Sequence, residues 1–174
     1  MSVILLGYRG SGKTTVGRRL ADRLWWKFID TDELVTQSAG KTIKEIFEQS
    51  GENEFRDLEV GAVRQACAME EHAISVGGGA VVREENRQAL AAAKEAKHKI
   101  IYLRCEPAVL LKRIQADPTT QATRPPLTHL GGSLEEIQKL LAEREPLYKQ
   151  AMHAELDVTN LTPDEAVVWI TRMM

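Results

Sequence analysis

The sequence predicts an α/β domain, a five-stranded parallel sheet flanked by helices in three layers. Two observations carry that expectation. Short apolar runs at Val3–Leu6, Trp26–Asp30, Ala73–Val76, Ile100–Leu103 and Glu155–Val158 each alternate with a stretch of helical periodicity. Between the first run and the first helix, Gly7–Thr14 reads GYRGSGKT, which fits G-x-x-x-x-G-K-[ST] with the strand before it and the helix after it. Right-handed crossovers bring the C-terminal ends of all such strands to one edge, where ligands bind in open parallel sheets.

The glycine-rich loop is the most specific element. Its glycines let consecutive backbone N–H groups converge on an anion, and the helix that follows adds the partial positive charge of its N-terminus. Lys13 would reach the β- and γ-phosphates of a nucleoside triphosphate, and the Thr14 hydroxyl would bind Mg²⁺. The helix after it, Thr15–Leu24, places Val16, Leu20 and Leu24 on one face.

Composition excludes several classes. The chain has 174 residues, 43% hydrophobic and 28% charged with a net charge of −2, which suits one ordinary globular domain and gives no reason to expect nucleic acid or an anionic membrane as partner. No apolar run approaches the ~20 residues that span a bilayer. The first strand leads straight into the loop, so no signal peptide is expected. Cys67 and Cys105 lie far apart and read as small buried apolar residues, in keeping with a cytoplasmic protein.

Further along, Asp30-Thr31-Asp32 stands where the second strand passes into a helix. One aspartate there would be a cap; two, one strand from a phosphate loop, suggest Mg²⁺ chemistry. Thr42 caps a helix over 43–49, and a second helix follows over 52–71 after Ser50-Gly51. Arg56, near the start of that second helix, has Glu52 and Glu59 at helical spacing and could pair with either. Gly77-Gly78-Gly79 ends the third strand. Three glycines in a row forgo packing, so another backbone or a ligand is expected to come very close there. A helix over 83–94, the fourth strand and a helix from Pro107 follow. Residues 115–133 hold Pro118, Pro125, Pro126, Gly131 and Gly132 and read as an active-site lid, with Arg124 placed to reach a phosphate. Ser133-x-x-Glu136 forms a capping box for the next helix. Arg144 falls on that helix's apolar stripe with Leu140 and Leu141, a costly position unless it faces a partner or ligand. A last strand and a helix capped by Thr162 close the chain. Trp25-Trp26 reads as core packing.

Loop, lysine, hydroxyl and aspartate are the parts of phosphoryl transfer from ATP. A GTP-reading N-K-x-D stretch is missing from the sequence. Arg56, Arg144 and the glycine triplet outline a pocket for a small anion, and bidentate arginine contacts suit a carboxylate. Asp32 would accept the proton of an attacking hydroxyl.

Taken together, Gly7-x-x-Gly10-x-Gly12-Lys13-Thr14-Thr15-Val16-Gly17, Asp30-Thr31-Asp32, Gly51-Glu52 with Phe55-Arg56 and Glu59, Gly77-Gly78-Gly79, Arg124-Pro125 and Arg144-x-x-x-Tyr148 resemble the shikimate kinases, in the family's order and over essentially the whole chain. The resemblance implies a P-loop fold of nucleoside-monophosphate-kinase type with a mobile lid over about 115–133 and substrate-binding helices over about 31–71. It implies transfer of the ATP γ-phosphate to the 3-hydroxyl of shikimate, on the way to chorismate and the aromatic amino acids, by a cytoplasmic monomer. Carried over, Gly10, Ser11, Gly12, Lys13, Thr14 and Thr15 contact ATP, with Arg113 near adenine and Arg124 on the transferring phosphate. Thr14 holds Mg²⁺ directly and Asp30 supports it. Asp32 binds the shikimate hydroxyls and serves as base, Arg56 and Arg144 clamp the carboxylate, and Gly78 and Gly79 offer backbone contacts. Two features depart from the family's pattern: Pro126 stands where a leucine is usual, and the lid is longer ahead of Arg124. A kinase of another small hydroxy acid such as gluconate, a nucleotide kinase and a nucleotide-binding regulatory module are the competing readings.

Overall fold

The computed structural model describes residues 1–117 and 132–174. Among these, β1 (Val3–Leu6), β2 (Lys27–Asp30), β3 (His72–Ser75), β4 (Lys99–Arg104) and β5 (Ala154–Asp157) form one parallel sheet in the order β2-β3-β1-β4-β5. The helices are α1 (Lys13–Leu24), α2 (Thr31–Ala39), α3 (Ile43–Cys67), α4 (Glu84–Glu95), α5 (Pro107–Ala116), α6 (Leu134–Ala151) and α7 (Pro163–Arg172), with a 3₁₀ turn at Ala80–Val82. The predicted architecture is the one observed.

β1 shows why the strands read as continuous apolar runs. Val3 and Leu5 join a cluster with Val16 and Leu20 of α1, Leu110 of α5 and Ile170 of α7. Ile4 and Leu6 face the other way, onto Val63 of α3, Leu90 of α4 and Tyr148 of α6. A strand covered on both faces has no polar positions to alternate. Val35, Ile46, Phe55 and Ala62 form a third cluster that ties α2 to α3.

Several local expectations are sharpened or corrected. The two helices read on either side of Ser50-Gly51 run as α3 with a break at Gly51, whose φ of 82° and ψ of 176° leave the helical region. The second half ends at Cys67 rather than at Glu71. By Glu71 the chain has φ 57° and its N–H donates to the Met1 carbonyl, so it is already turning into β3. Thr42 and Thr162 make full capping boxes with Glu45 and Glu165. Ser133 makes only half of one: its hydroxyl accepts from the Glu136 N–H, but the Glu136 side chain is buried elsewhere and does not return to the cap. Both cysteines are free and buried, as read from the sequence.

Trp25 is not in the core. α1 stops at Leu24, and Trp25 takes the left-handed position that ends it (φ 58°), where its side chain is 96% exposed. Trp26 is the half-buried member of the pair, packed against the larger cluster.

At the N-terminal edge of the sheet, the Ser2 N–H donates to Nδ1 of buried His98 at 2.9 Å, and the Ile100 N–H donates to Nδ1 of the more exposed His153 at 3.1 Å. Either bond requires an unprotonated Nδ1, and burial lowers both imidazole pKa values from the usual 6.5. Below about 6.5 the unfolded chain therefore binds more protons than the folded one, so this contribution is complete above that pH and is lost as pH falls. Urea unfolding at pH 7.5 and 5.0 should show stability lost on acidification. His98→Asn, which keeps an acceptor but cannot be protonated, should reduce that loss by roughly 1 kcal/mol, the size of one hydrogen bond.

Candidate active site

The phosphate loop leaves β1 at Leu6 and enters α1 through Gly12, whose φ of 92° belongs to the left-handed region that a side chain disfavours. No side chain caps α1, so the N–H groups of its first turn face the loop mouth. The Ser11 N–H closes the turn onto the Tyr8 carbonyl at 3.1 Å. Lys13 arches back over it, donating from Nζ to the carbonyls of Gly7 at 2.8 Å and Tyr8 at 3.0 Å. Thr14 and Thr15 lie exposed at the start of the helix.

Asp30 connects this loop to the next strand. Its Oδ2 accepts from the Thr14 hydroxyl at 3.1 Å, while Oδ1 accepts from the Asp32 N–H at 3.0 Å and so caps α2. The two aspartates thus have separate duties: Asp30 faces the loop, and Asp32 projects from the first turn of α2. A cleft of about 600 Å³ is lined by Gly10–Thr15, Asp30, Asp32, Gly77 and Gly78, and at its far end by Arg113, Leu161 and Pro163. Arg113 is held there by the Val158 and Thr159 carbonyls, at 3.0 and 3.4 Å.

A smaller pocket lies beyond Asp32 and Gly78, walled by Phe47, Phe55, Arg56, Glu59, Gly79 and Arg144. Arg9, Asp32, Gly77 and Gly78 line both spaces and form their common wall. The glycine triplet is explained by what surrounds it. A Cβ on Gly77 would stand 2.8 Å from carboxylate oxygens of Asp32 and Glu59; one on Gly78 would stand 3.2 Å from the Gly7 carbonyl; one on Gly79 would stand 2.8 Å from the Arg56 guanidinium. The close backbone that the sequence led us to expect is that of Gly7; the acids and the arginine that also close on this strand end are added by the structure.

Arg56 satisfies both readings open at the sequence level. It pairs with Glu59 at 2.9 Å and Glu52 at 3.2 Å, and it also faces the pocket. Arg144 is buried with no carboxylate at ion-pair distance among the described residues; its Nη1 reaches the Gly78 carbonyl at 3.5 Å and its guanidinium lies 5.7 Å from the centre of the Tyr8 ring. Neither Glu143 nor Glu145 answers it, which the i±1 geometry anticipated. The structure therefore brings Lys13, Thr14, Asp30, Asp32, Arg56, Gly78, Gly79 and Arg144 around one wall and puts Arg113 at the far end of the cleft. Arg124, and with it most of the lid expected over 115–133, lies outside the described residues.

Two motif residues had no individual role from the sequence: Thr31 accepts from the Gly77 N–H at 3.0 Å, and Tyr148 donates to the Gly78 carbonyl. Glu59, one of the two partners that helical spacing offers Arg56, anchors it. Burial pushes the Glu59 carboxyl up to about 7, with Arg56 pulling it back down and Asp32 adding to the rise.

Comparison with known proteins bears on this geometry directly. The family model described as shikimate kinase matches residues 9–174. The chain belongs to the shikimate kinase family. It is 42% identical to a shikimate kinase of Oleidesulfovibrio alaskensis over 156 residues, covering 89% of this chain and 87% of that protein. It is 40% identical to shikimate kinase 2 of Yersinia pestis over 173 residues, 99% and 95% of the two chains. Among solved structures, the shikimate kinase from Acinetobacter baumannii in complex with shikimate superposes with a TM-score of 0.88 at 28% identity, covering 99% of this chain and 91% of that one. A gluconokinase from Sinorhizobium meliloti shares the fold at a TM-score of 0.54 and 17% identity. The chain is thus a kinase with the P-loop fold of that family.

The state of Glu59 gives a measurable signature. An anion bound between Arg56 and Arg144 would meet a neutral Glu59 carboxyl below about 7 and an ionised one above it, which would offset Arg56 and, with Asp32, repel the anion. Shikimate affinity measured by titration calorimetry should fall as pH rises from 6 to 8, and Glu59→Gln should flatten that dependence.

Proposed function

We infer that this chain transfers the γ-phosphate of ATP to the 3-hydroxyl of shikimate, giving shikimate 3-phosphate and ADP, on the route to chorismate and aromatic amino acids. The observation that carries this reading is the shared wall: in a chain of this family, Asp32 and Gly78 separate a phosphate-loop cleft from a pocket with two buried arginines. Two guanidinium groups suit a carboxylate through bidentate contacts, and Phe47 and Phe55, with ring centres 5.0 Å apart, offer apolar surface to a carbon ring.

In this reading Gly10, Ser11, Gly12 and Thr15 cradle the phosphates and Lys13 follows the charge that develops as the γ-phosphoryl group leaves ADP. Asp32 orients the acceptor hydroxyl and takes its proton as oxygen bonds to phosphorus and the bond from phosphorus to the ADP oxygen breaks. Arg56 and Arg144 hold the acceptor's carboxylate, so attack is decided by position more than by base strength. Hard oxygen donors suit Mg²⁺, and the Thr14 hydroxyl would hold it directly with the neighbouring Asp30 carboxylate supporting it through water. Bound there, Mg²⁺ would neutralise phosphate charge. Arg113 would lie along the adenine, and Arg124 would come down with the lid over 115–133 onto the transferring phosphate. The chain would work as one kinase domain over 1–174, with the acceptor between the loop and the helices over 31–71, as a cytoplasmic monomer. Among the described residues, no helix is long and apolar enough to cross a membrane.

A coupled ADP assay with a panel of acceptors tests this directly. ADP release should depend on shikimate, and equal turnover with gluconate or a nucleoside monophosphate would sink the assignment. Arg56→Ala and Arg144→Ala should each raise KM for shikimate by roughly 10- to 100-fold, the loss of charge-assisted hydrogen bonds, while KM for ATP stays near its original value.

A further inference from the structure

The peptide joining Gly78 to Gly79 is held differently from its neighbours. The Gly77 carbonyl accepts from the Ala80 N–H at 3.0 Å and the Gly79 carbonyl from the Val82 N–H at 3.1 Å, both within the 3₁₀ turn, and the Gly77 N–H is taken by Thr31. Among the described residues, the Gly78 carbonyl has no such backbone partner. Two side chains of α6 hold it instead: the Tyr148 hydroxyl, and Nη1 of Arg144 one turn earlier at 3.5 Å. A trans peptide points its C=O and N–H in opposite directions, and the chain has no cis bond among its described residues. Fixing the Gly78 carbonyl against α6 therefore fixes where the Gly79 N–H points. Gly79 lines the arginine pocket but not the nucleotide cleft, and among the described residues no protein group accepts from its N–H.

We propose that Tyr148 is a positioning residue for acceptor binding, its hydroxyl holding the Gly78–Gly79 peptide so that the Gly79 N–H is presented to the acceptor. The need for an anchor follows from the glycines. With no Cβ on either side, the peptide can rotate about its flanking bonds at little steric cost, and a flip would turn a carbonyl oxygen towards an anionic ligand. The anchor itself is rigid. Tyr148 is fully buried, and its ring stacks on Tyr102 of β4 with centres 4.9 Å apart and planes 25° from parallel. Burial also pushes its hydroxyl pKa upward, which keeps it a donor. Tyr148 lines neither pocket, so it does not touch the ligand; it acts through the peptide and through Arg144, whose guanidinium lies beside the same hydroxyl.

This inference rests on the arginine pocket being the acceptor site, and the test separates the two. Tyr148→Phe keeps the ring and its stack and removes only the hydroxyl. Steady-state kinetics should show KM for shikimate raised by roughly 5- to 20-fold, as expected for one buried hydrogen bond, with KM for ATP and the melting temperature nearly unchanged. A merely structural role would raise both KM values together or lower the melting temperature, and either result overturns the proposal. Arg56→Ala, assayed alongside, reports on the pocket. If it raises KM for shikimate while Tyr148→Phe does not, the acceptor site stands and the positioning role falls; if neither does, both fall. A second measurement does not depend on the variant's behaviour. In the wild-type protein labelled with [¹⁵N]glycine, saturating shikimate should shift the Gly79 amide signal, and an unmoved signal overturns the proposal.

Discussion

The chain leaving β3 lies so close to the phosphate loop that a single Cβ on Gly78 would press on the Gly7 carbonyl at 3.2 Å and the Arg9 N–H at 3.3 Å. This approach of backbone to backbone follows from β1 and β3 being neighbours in the sheet, with Val3, Ile4 and Leu5 in register with Ala73, Ile74 and Ser75. Everything functional is arranged on either side of it. The phosphate loop and its cleft lie on one side, and the triplet walls the arginine pocket proposed for the acceptor on the other. The two substrates are brought within reach because no side chain stands between the strands that present them.

The charges on that wall are expensive to bury, and the structure shows how the cost is divided. Arg56 is compensated in advance by Glu59 and Glu52. Arg144 is compensated less fully: among the described residues its Nε has no hydrogen bond, and its guanidinium meets the Gly78 carbonyl, the Tyr148 hydroxyl and the face of Tyr8. Among the described residues, the Tyr8 hydroxyl and both carboxylate oxygens of Glu136 are likewise buried without a hydrogen bond. Unsatisfied polar atoms of this kind each cost on the order of 1–3 kcal/mol. Their concentration between the loop and α6 marks this as a place where the fold gives up stability to keep groups ready for a ligand.

How much of this was legible in the sequence depends on the range of the interaction concerned. The strands, the loop, the paired aspartates and the triplet could be read because each is set by neighbouring residues: periodicity, fixed spacing, or glycine where a side chain would collide. Arg144 could be read as pocket-facing because helix geometry alone removes Glu143 and Glu145 as partners. What escaped was set by tertiary contact. Glu59 stands in plain view at i+3 from Arg56, but its displaced titration comes from burial and from Asp32 on another helix. Tyr148 is 70 residues from the carbonyl it holds. Trp25 was misread for the opposite reason: an apolar residue beside a buried strand looked like core, but the left-handed turn that ends α1 rotates it outward. At Ser133, the glutamate that should have completed the capping box is buried elsewhere instead.

Asp30 couples two things usually kept apart. Its two oxygens lie in one rigid plane, one engaged by Thr14 at the loop and the other by the Asp32 N–H at the start of α2. Rotation of the carboxylate to improve either contact would spoil the other, so the loop and the first turn of α2 are locked in angle as well as in distance. Removing this one side chain would do more than free the Thr14 hydroxyl: it would unfasten the first turn of α2, which carries Asp32. The carboxylate behaves as a hinge pin driven through both halves of the site, and the alignment of donor and acceptor is in that sense a property of the ground-state fold.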